Sequence, residues 1–163
     1  MSSLHPSLTE KVEALLDAHR KAGSRVAMAE SCTGGLVSAA LTDIAGSSDV
    51  FLAGYVTYSN EAKTRMLGVE PVLFETDGAV SEKVARAMAE GALSRSGADV
   101  AVSITGIAGP GGGSMEKPVG TVWFVRASSD GAVMAKLENF DPAASRDEIR
   151  RQAALAALEL LSP

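Results

Sequence analysis

"RVAMAESCTGGLVSAALTDI" occupies residues 25–44 and joins an apolar run, a polar turn with two glycines and a second apolar segment. The run at 25–29 is typical of a short buried strand, and residues 35–44 are typical of a helix. A strand that passes through a tight turn into a helix is the unit from which parallel sheets are built. This stretch therefore favours an α/β fold.

The flanking sequence continues the alternation of helices and strands. A helix is predicted before the stretch, with Ser7 and Glu10 as a capping box, and Ser81 and Ser145 are predicted to cap two later helices, the second with Glu148. Strands are predicted at 50–59 and 98–106, helices at 60–68, 81–97 and from 145 to about 161, and a hairpin around the turn "SDG" at 129–131.

These elements predict one domain over residues 1–163, a three-layer α/β/α sandwich. Its sheet is expected to be mixed and mostly parallel, with an antiparallel C-terminal hairpin. The length of 163 residues is ordinary for a single domain, and no internal repeat or linker interrupts it.

Composition excludes several classes of function. The net charge of -5 and the scattered basic residues argue against nucleic acid as a partner. No apolar run is long enough to span a membrane, and the N-terminal segment lacks the apolar core of a signal peptide, so we expect a cytoplasmic protein. One cysteine allows no internal disulfide, and without a Cys/His cluster we expect no metal and no cofactor.

Three polar segments follow the first three predicted strands. They are "ESCTGG" at 30–35, "YSNEAK" at 58–63 and "TGIAGPGGG" at 105–113. The carboxyl ends of parallel strands meet at one edge of the sheet, where ligands of α/β proteins bind. We therefore expect the three segments to converge on one pocket.

The first segment offers two nucleophiles, Ser31 and Cys32. Both would lie near a helix N-terminus, where unpaired N–H groups from Cys32 to Gly35 could hold an oxyanion. A thiolate at such a position has a lowered pKa. The residues alone leave three interpretations open: a serine nucleophile, a cysteine nucleophile, or a cap and tight turn with Cys32 as a buried apolar residue.

A nucleophile also needs a base, and neither histidine is suitably placed. His5 and His19 belong to the N-terminal region and are interpreted as exposed, so a Ser-His-Asp triad is not expected. The second segment offers Lys63 and Tyr58 instead. A free lysine has a pKa of about 10.4, and burial can lower it towards neutrality. The alternative is an exposed lysine on a short helix.

The glycine-rich third segment could bring its backbone close to a phosphate. It is not a Walker A loop, because no Gly-Lys-Ser/Thr follows, and the first strand lacks the GxGxxG of a dinucleotide site. A flexible surface loop is the alternative, although Pro110 and Pro118 favour a defined shape.

Taken together, these segments resemble the CinA C-terminal domain family. The resemblance rests on "AESCTGG", "GYVTYSNEAKTRMLGV", "GAVSEKVARAMAEGAL", "SITGIAGPGGG" and "KPVGTVWF", which run in order from Ala29 to Phe124. Larger CinA proteins carry a further N-terminal domain that this sequence is expected to lack. The resemblance therefore implies the activity of the stand-alone members: hydrolysis of the carboxamide of nicotinamide mononucleotide to nicotinate mononucleotide and ammonia.

The resemblance also implies site residues and assembly. It implies Ser31 as nucleophile, Tyr58 and Lys63 in the catalytic group, a small nucleotide as substrate, and a homodimer or larger homo-oligomer. Substrate-binding residues are expected in the first and third segments: Cys32, Thr33, Gly34, Gly35, Thr105, Gly106, Gly109, Gly111 and Gly112. A Cys32-dependent amidase and a non-catalytic nucleotide-binding module remain as alternatives.

Overall fold

The computed structural model describes residues 5–163, so residues 1–4 of the predicted domain lie outside the described part. The α-helices are α1 (Pro6–Ala22), α2 (Leu36–Thr42), α3 (Asn60–Leu67), α4 (Pro71–Thr76), α5 (Glu82–Ser96) and α6 (Arg146–Leu161). The strands are β1 (Val26–Glu30), β2 (Phe51–Val56), β3 (Val100–Gly106), β4 (Thr121–Ser128) and β5 (Val133–Asn139), and a 3-10 turn (Ser47–Asp49) precedes β2.

The five strands form one mixed sheet in the order β2-β1-β3-β4-β5. Strands β2, β1 and β3 are parallel, whereas β4 and β5 pair antiparallel with β3 and with each other. The predicted α/β fold, with parallel strands first and a hairpin at the C-terminus, is confirmed. Helix α4 was not predicted, because its six residues, which begin with Pro71, show no periodic apolar pattern.

The two faces of the sheet are packed differently because large and small residues alternate along the strands. Val26, Met28 and Ile104 pack against α1, α2 and α6 in the larger core cluster. Ala27 and Ala101 face the other way, towards α3 and α5. The small residues on this second face allow α5 to approach the sheet closely.

Gly91 explains how α5 also packs against α3. A Cβ atom at this position would collide with the carbonyl oxygen of Leu67 at the end of α3. The glycine weakens the intrinsic helix propensity of α5. The missing side chain compensates for that cost, because it lets α3, which carries Lys63, pack closely against α5.

Two of the three predicted helix caps are confirmed. Ser81 and Ser145 accept hydrogen bonds from the amides of Val84 and Glu148. The Glu148 half of the second capping box is wrong, because its carboxylate accepts from Arg151 and Gln152 instead. The capping box at Ser7 is wrong: α1 begins at Pro6, and the His5 side chain accepts from the amide of Ser7. Proline has the backbone angle that the first helical position requires, so it moves the start of α1 forward.

Among residues 5–163, none of the helices has both the length and the apolar character to cross a membrane.

Candidate active site

Ser31 is placed by the hydrogen bonds of the parallel sheet. Its amide donates to the carbonyl of Ile104 at 3.0 Å, which extends the β1–β3 ladder by one residue. On the other side, the amide of Thr57 donates to the carbonyl of Glu30 at 2.9 Å. The segments that follow β1 and β2 are therefore adjacent, as predicted.

Lys63 reaches Ser31 from α3. The side chain of Ser59 caps this helix by accepting from the amide of Ala62, which fixes where the helix begins. The Lys63 side chain, only 1% exposed, donates to Ser31 Oγ at 3.0 Å, to the carbonyl of Thr57 at 2.9 Å and to that of Tyr58 at 3.0 Å. Burial lowers the pKa of Lys63 to about 8.

The three partners of the Lys63 Nζ atom suit a general base. A neutral amine has two N–H groups and one lone pair. The carbonyls of Thr57 and Tyr58 can accept only, so they take the two N–H groups. The lone pair is then left for the hydroxyl hydrogen of Ser31. A pKa near 8 keeps an appreciable neutral fraction at physiological pH.

Cys32 differs from Ser31 in its electrostatics. It is 6% exposed, and burial raises the pKa of its thiol to about 11. The lowered pKa that the sequence suggested for this thiol is therefore wrong. The effect of burial, which raises the pKa, is larger than the effect of the nearby amides and cations, which lower it. The alternative of a buried apolar residue agrees with this environment, although Cys32 also borders the pocket described below.

The amides of the turn are not all unpaired, contrary to expectation. The amide of Gly34 donates to the carbonyl of Ser31, and that of Gly35 donates to Glu30 Oε2. Within residues 5–163, the amides of Cys32 and Thr33 donate to no backbone or side-chain oxygen. These two amides, beside Ser31, are the ones able to hold an oxyanion.

A cavity of about 270 Å³ opens at this edge of the sheet. All three predicted segments contribute to its lining, and two residues that precede α5 and one from α6 join them. The lining residues are Ser31, Cys32, Tyr58, Asn60, Lys63, Ala79, Val80, Thr105, Gly106, Ile107, Ala108, Gly112 and Arg146.

Five residues expected to bind substrate do not line the cavity: Thr33, Gly34, Gly35, Gly109 and Gly111. The hydroxyl of Thr33 is engaged elsewhere, since it donates to Glu30 at 2.7 Å. Thr105 does line the cavity, but its hydroxyl donates to the carbonyl of Ala79 at 2.8 Å.

Arg146 was missed by the sequence analysis. Its guanidinium donates to the carbonyl of Gly109 at 2.7 Å and to the hydroxyl of Tyr58 at 3.3 Å. The cap at Ser145 predicted that Arg146 lies in the first turn of α6. No local signal, however, placed that turn beside β1 and β3.

Tyr58 contributes to the site in two ways. Its backbone carbonyl accepts from Lys63, while its side chain is 63% exposed and its hydroxyl lies beside Arg146. In the described part of the chain, that hydroxyl makes no hydrogen bond with Ser31 or Lys63. The structure therefore brings Ser31 and Lys63 into contact and places the Tyr58 ring at the pocket.

The two histidines lie outside the pocket lining. His5 is exposed, as expected, but His19 is fully buried. Its ring nitrogens contact Ser24 Oγ at 2.6 Å and the carbonyl of Leu161 at 2.7 Å, and burial lowers its pKa. His19 shares the apolar face of α1, four residues after Leu15, and this spacing predicts burial.

No group of three or more His, Cys, Asp or Glu residues capable of holding a metal ion is present in residues 5–163.

Comparison with known proteins places this site in a family. The model of the CinA C-terminal domain matches residues 7–163. The chain belongs to the CinA C-terminal domain family. Within the solved structures, the competence/damage inducible protein CihA from Agrobacterium tumefaciens has the same fold, with a TM-score of 0.95 and 46% identity; the match covers 99% of this chain and 97% of that one.

Members of the family differ in length. The chain is 62% identical over 117 residues to a CinA-like protein of Chlorobaculum tepidum, covering 71% of this chain but only 28% of that protein. It is 56% identical over 134 residues to the nicotinamide-nucleotide amidohydrolase PncC of Enterobacter agglomerans, covering 82% of this chain and 80% of the relative.

Proposed function

We propose that this protein hydrolyses the carboxamide of nicotinamide mononucleotide, with Ser31 as the nucleophile and Lys63 as its base. The nicotinamide-nucleotide amidohydrolase activity for which the PncC relative is named supports the reaction. The observation that carries the mechanism is the 3.0 Å contact between Lys63 Nζ and Ser31 Oγ, made by a buried lysine whose pKa is lowered to about 8.

Acylation would begin with attack of Ser31 Oγ on the carboxamide carbon while Lys63 accepts the hydroxyl proton. The carbonyl oxygen becomes an oxyanion, and the unpaired amides of Cys32 and Thr33 are the donors available to it. As the tetrahedral intermediate collapses, the C–N bond breaks and Lys63 returns the proton to the leaving nitrogen. Ammonia departs and an ester to Ser31 remains.

Deacylation would use the same groups in reverse. Lys63, neutral again, takes a proton from a water molecule that attacks the ester carbon. The C–O bond to Ser31 breaks, the proton passes back to Ser31 Oγ, and nicotinate mononucleotide is released. Two acyl transfers of this kind consume one water molecule and require no other reactant.

The lining of the pocket supports the proposal that the substrate carries a phosphate. Arg146 supplies a guanidinium at the lining, next to the exposed Tyr58 ring and the glycine-rich loop. Because the chain has a net charge of -5, an anionic substrate needs such a local positive group. Tyr58 is proposed to contact the substrate beside Arg146, and its place in the catalytic group stays a prediction, as do the homo-oligomer and the cytoplasmic location.

An ammonia-release assay on three substrates tests the proposed function. We expect nicotinamide mononucleotide to be hydrolysed with a kcat/KM at least about a hundredfold above that of free nicotinamide, because only the nucleotide engages Arg146 and the glycine-rich loop. The intact dinucleotide is the control for size. Comparable values for nucleotide and free nicotinamide would contradict the substrate. Binding of the mononucleotide without ammonia release would instead favour a non-catalytic module.

A further inference from the structure

Glu30 is a buried carboxylate to which the proposed reaction gives no role. It ends β1 immediately before Ser31 and is fully buried. Its two oxygens accept five hydrogen bonds. Oε2 accepts from Thr33 Oγ1 at 2.7 Å, from the amide of Gly35 at 3.1 Å and from that of Val37 at 3.2 Å; Oε1 accepts from the amide and the hydroxyl of Ser38, at 2.8 and 2.7 Å.

All five donors belong to the turn and helix that follow Ser31. A buried carboxylate is costly unless donors replace the water it has lost. Here a single chain segment supplies every replacement, so the segment cannot move without exposing the charge to an apolar surrounding. Glu30 therefore fixes the backbone from Thr33 to Ser38 relative to β1.

Arg150 holds the same turn through its backbone carbonyls. Its guanidinium, which comes from α6, donates to the carbonyl of Cys32 at 3.1 Å and to that of Thr33 at 2.9 Å. A trans peptide group is planar, with its N–H pointing opposite to its C=O. A Cys32 carbonyl directed at Arg150 therefore directs the amide of Thr33 away from Arg150, and this amide is one of the two that make no internal hydrogen bond.

We propose that Glu30 and Arg150 are positioning residues that clamp the turn, so that the Ser31 hydroxyl stays on Lys63 and the Cys32 and Thr33 amides keep the orientation an oxyanion requires. The inference rests on the proposed function, since it assigns Ser31 as the nucleophile. The clamp acts through the backbone, and neither residue lines the substrate cavity. It should therefore affect turnover more than substrate binding.

Glu30→Gln tests the clamp with almost no change of shape. Its amide nitrogen is a donor that faces at least one backbone N–H in either orientation of the side chain, so at least one hydrogen bond is lost, and the remaining ones lose the strength that the negative charge gives them. We expect kcat for ammonia release to fall about a hundredfold while KM changes less than about threefold, because a small misplacement of reacting groups costs this much. Asp43→Asn, at the exposed C-terminal end of α2, removes the same charge and should match the wild type.

A fluorophosphonate probe that modifies a nucleophilic serine separates positioning from simple loss of folded protein. The end point of labelling, read by intact mass, counts folded sites, whereas the labelling rate measures the reactivity of each site. The clamp predicts a slower rate with a full end point in Glu30→Gln. A merely structural role predicts the wild-type rate with a reduced end point, and that result would overturn the proposal.

Arg150→Met provides a second, independent variant in case Glu30→Gln does not fold. Because Arg150 is only partly buried, its loss should leave the fold intact and lower kcat about tenfold at nearly constant KM. Unchanged kcat in folded Arg150→Met would overturn its place in the clamp. If the probe labels wild type at Ser31 and labels both variants equally fast, the clamp fails while the proposed nucleophile stands. If wild type is not labelled at Ser31, the nucleophile fails and the clamp with it.

Discussion

The turn after β1, residues 31–35, and the glycine-rich loop after β3, residues 107–120, lie at the same edge of the sheet but are held very differently. The turn is buried at Ser31, Cys32 and Thr33, and side chains from both β1 and α6 form hydrogen bonds with it. The loop is joined at its ends by hydrogen bonds between Ile107 and the segment 120–121, while residues 110–116 are exposed.

This difference matches two different tasks. The position of a nucleophile relative to its base must be kept to within a fraction of an ångström, so its surroundings are filled by protein groups. A loop that only contacts the substrate can adjust its shape, and its exposed glycines place no side chain in the way of the substrate. The comparison predicts that substitutions in the turn lower kcat or stability. Substitutions in the loop are expected to change substrate binding or to have no effect.

The largest effect that we expect from the groups at the turn is a dependence of kcat/KM on pH. Lys63 accepts the Ser31 proton only when neutral, and its pKa is lowered to about 8, so kcat/KM should rise with pH and level off above about 8. At pH 6 the neutral fraction is roughly 1%, and kcat/KM should be about a hundredfold below its plateau. A rate profile from pH 5.5 to 10 measures this. Lys63→Met, the control, should be nearly inactive throughout, and a wild-type profile that is flat between pH 6 and 8 would contradict the assignment of the base.

Arg146 tests the binding side of the comparison. It donates to the carbonyl of Gly109 in the loop and lies at the cavity without contacting Ser31 or Lys63. We expect Arg146→Met to raise KM for the mononucleotide at least about tenfold with kcat nearly unchanged, since a charge-assisted contact to phosphate is lost. Arg146→Lys keeps the charge and should recover part of the loss. A fall in kcat without a change in KM would move Arg146 from binding to chemistry.

A matched pair of glycine substitutions gives the smallest expected effect. Gly35 has a φ of 96°, and a Cβ atom there would lie 3.3 Å from a methyl group of Val56. Gly35→Ala should lower the free energy of unfolding by about 1–2 kcal/mol. Gly111 is not in the left-handed region and has open space around its Cα, so Gly111→Ala should leave stability unchanged or raise it by up to about 1 kcal/mol. Urea unfolding curves measure both, and equal losses would remove the distinction between the two segments.

The sequence predicted what depends on local pattern. Alternating apolar runs and helix caps gave the order of strands and helices, and the carboxyl ends of the parallel strands gave the convergence of the three polar segments. These segments offered Ser31, Cys32 and Lys63 as candidates, and the resemblance to the CinA C-terminal domain family favoured Ser31 with Lys63. The start of α1 was placed wrongly because a proline and a preceding histidine satisfy the first turn as well as the serine that follows them.

Contacts between distant segments could not be predicted in the same way. Arg146 and Arg150 come from a helix more than a hundred residues after Ser31, and the packing of α6 against β3, α1 and α2 brings Arg146 to the cavity and Arg150 to the turn. Glu30 was part of the quoted motif, but its role depends on the backbone path of the next eight residues. The burial of His19 was detectable from the spacing of the apolar face of α1.

The most direct test of the central claim is ammonia release from nicotinamide mononucleotide by Ser31→Ala and Cys32→Ala, with circular dichroism to verify folding. Ser31→Ala removes the attacking atom and should lower kcat at least about a hundredfold. Cys32→Ala keeps the backbone amide and removes a thiol that burial holds protonated, so kcat should stay within about tenfold of the wild type. A folded but inactive Cys32→Ala beside an active Ser31→Ala would contradict the account.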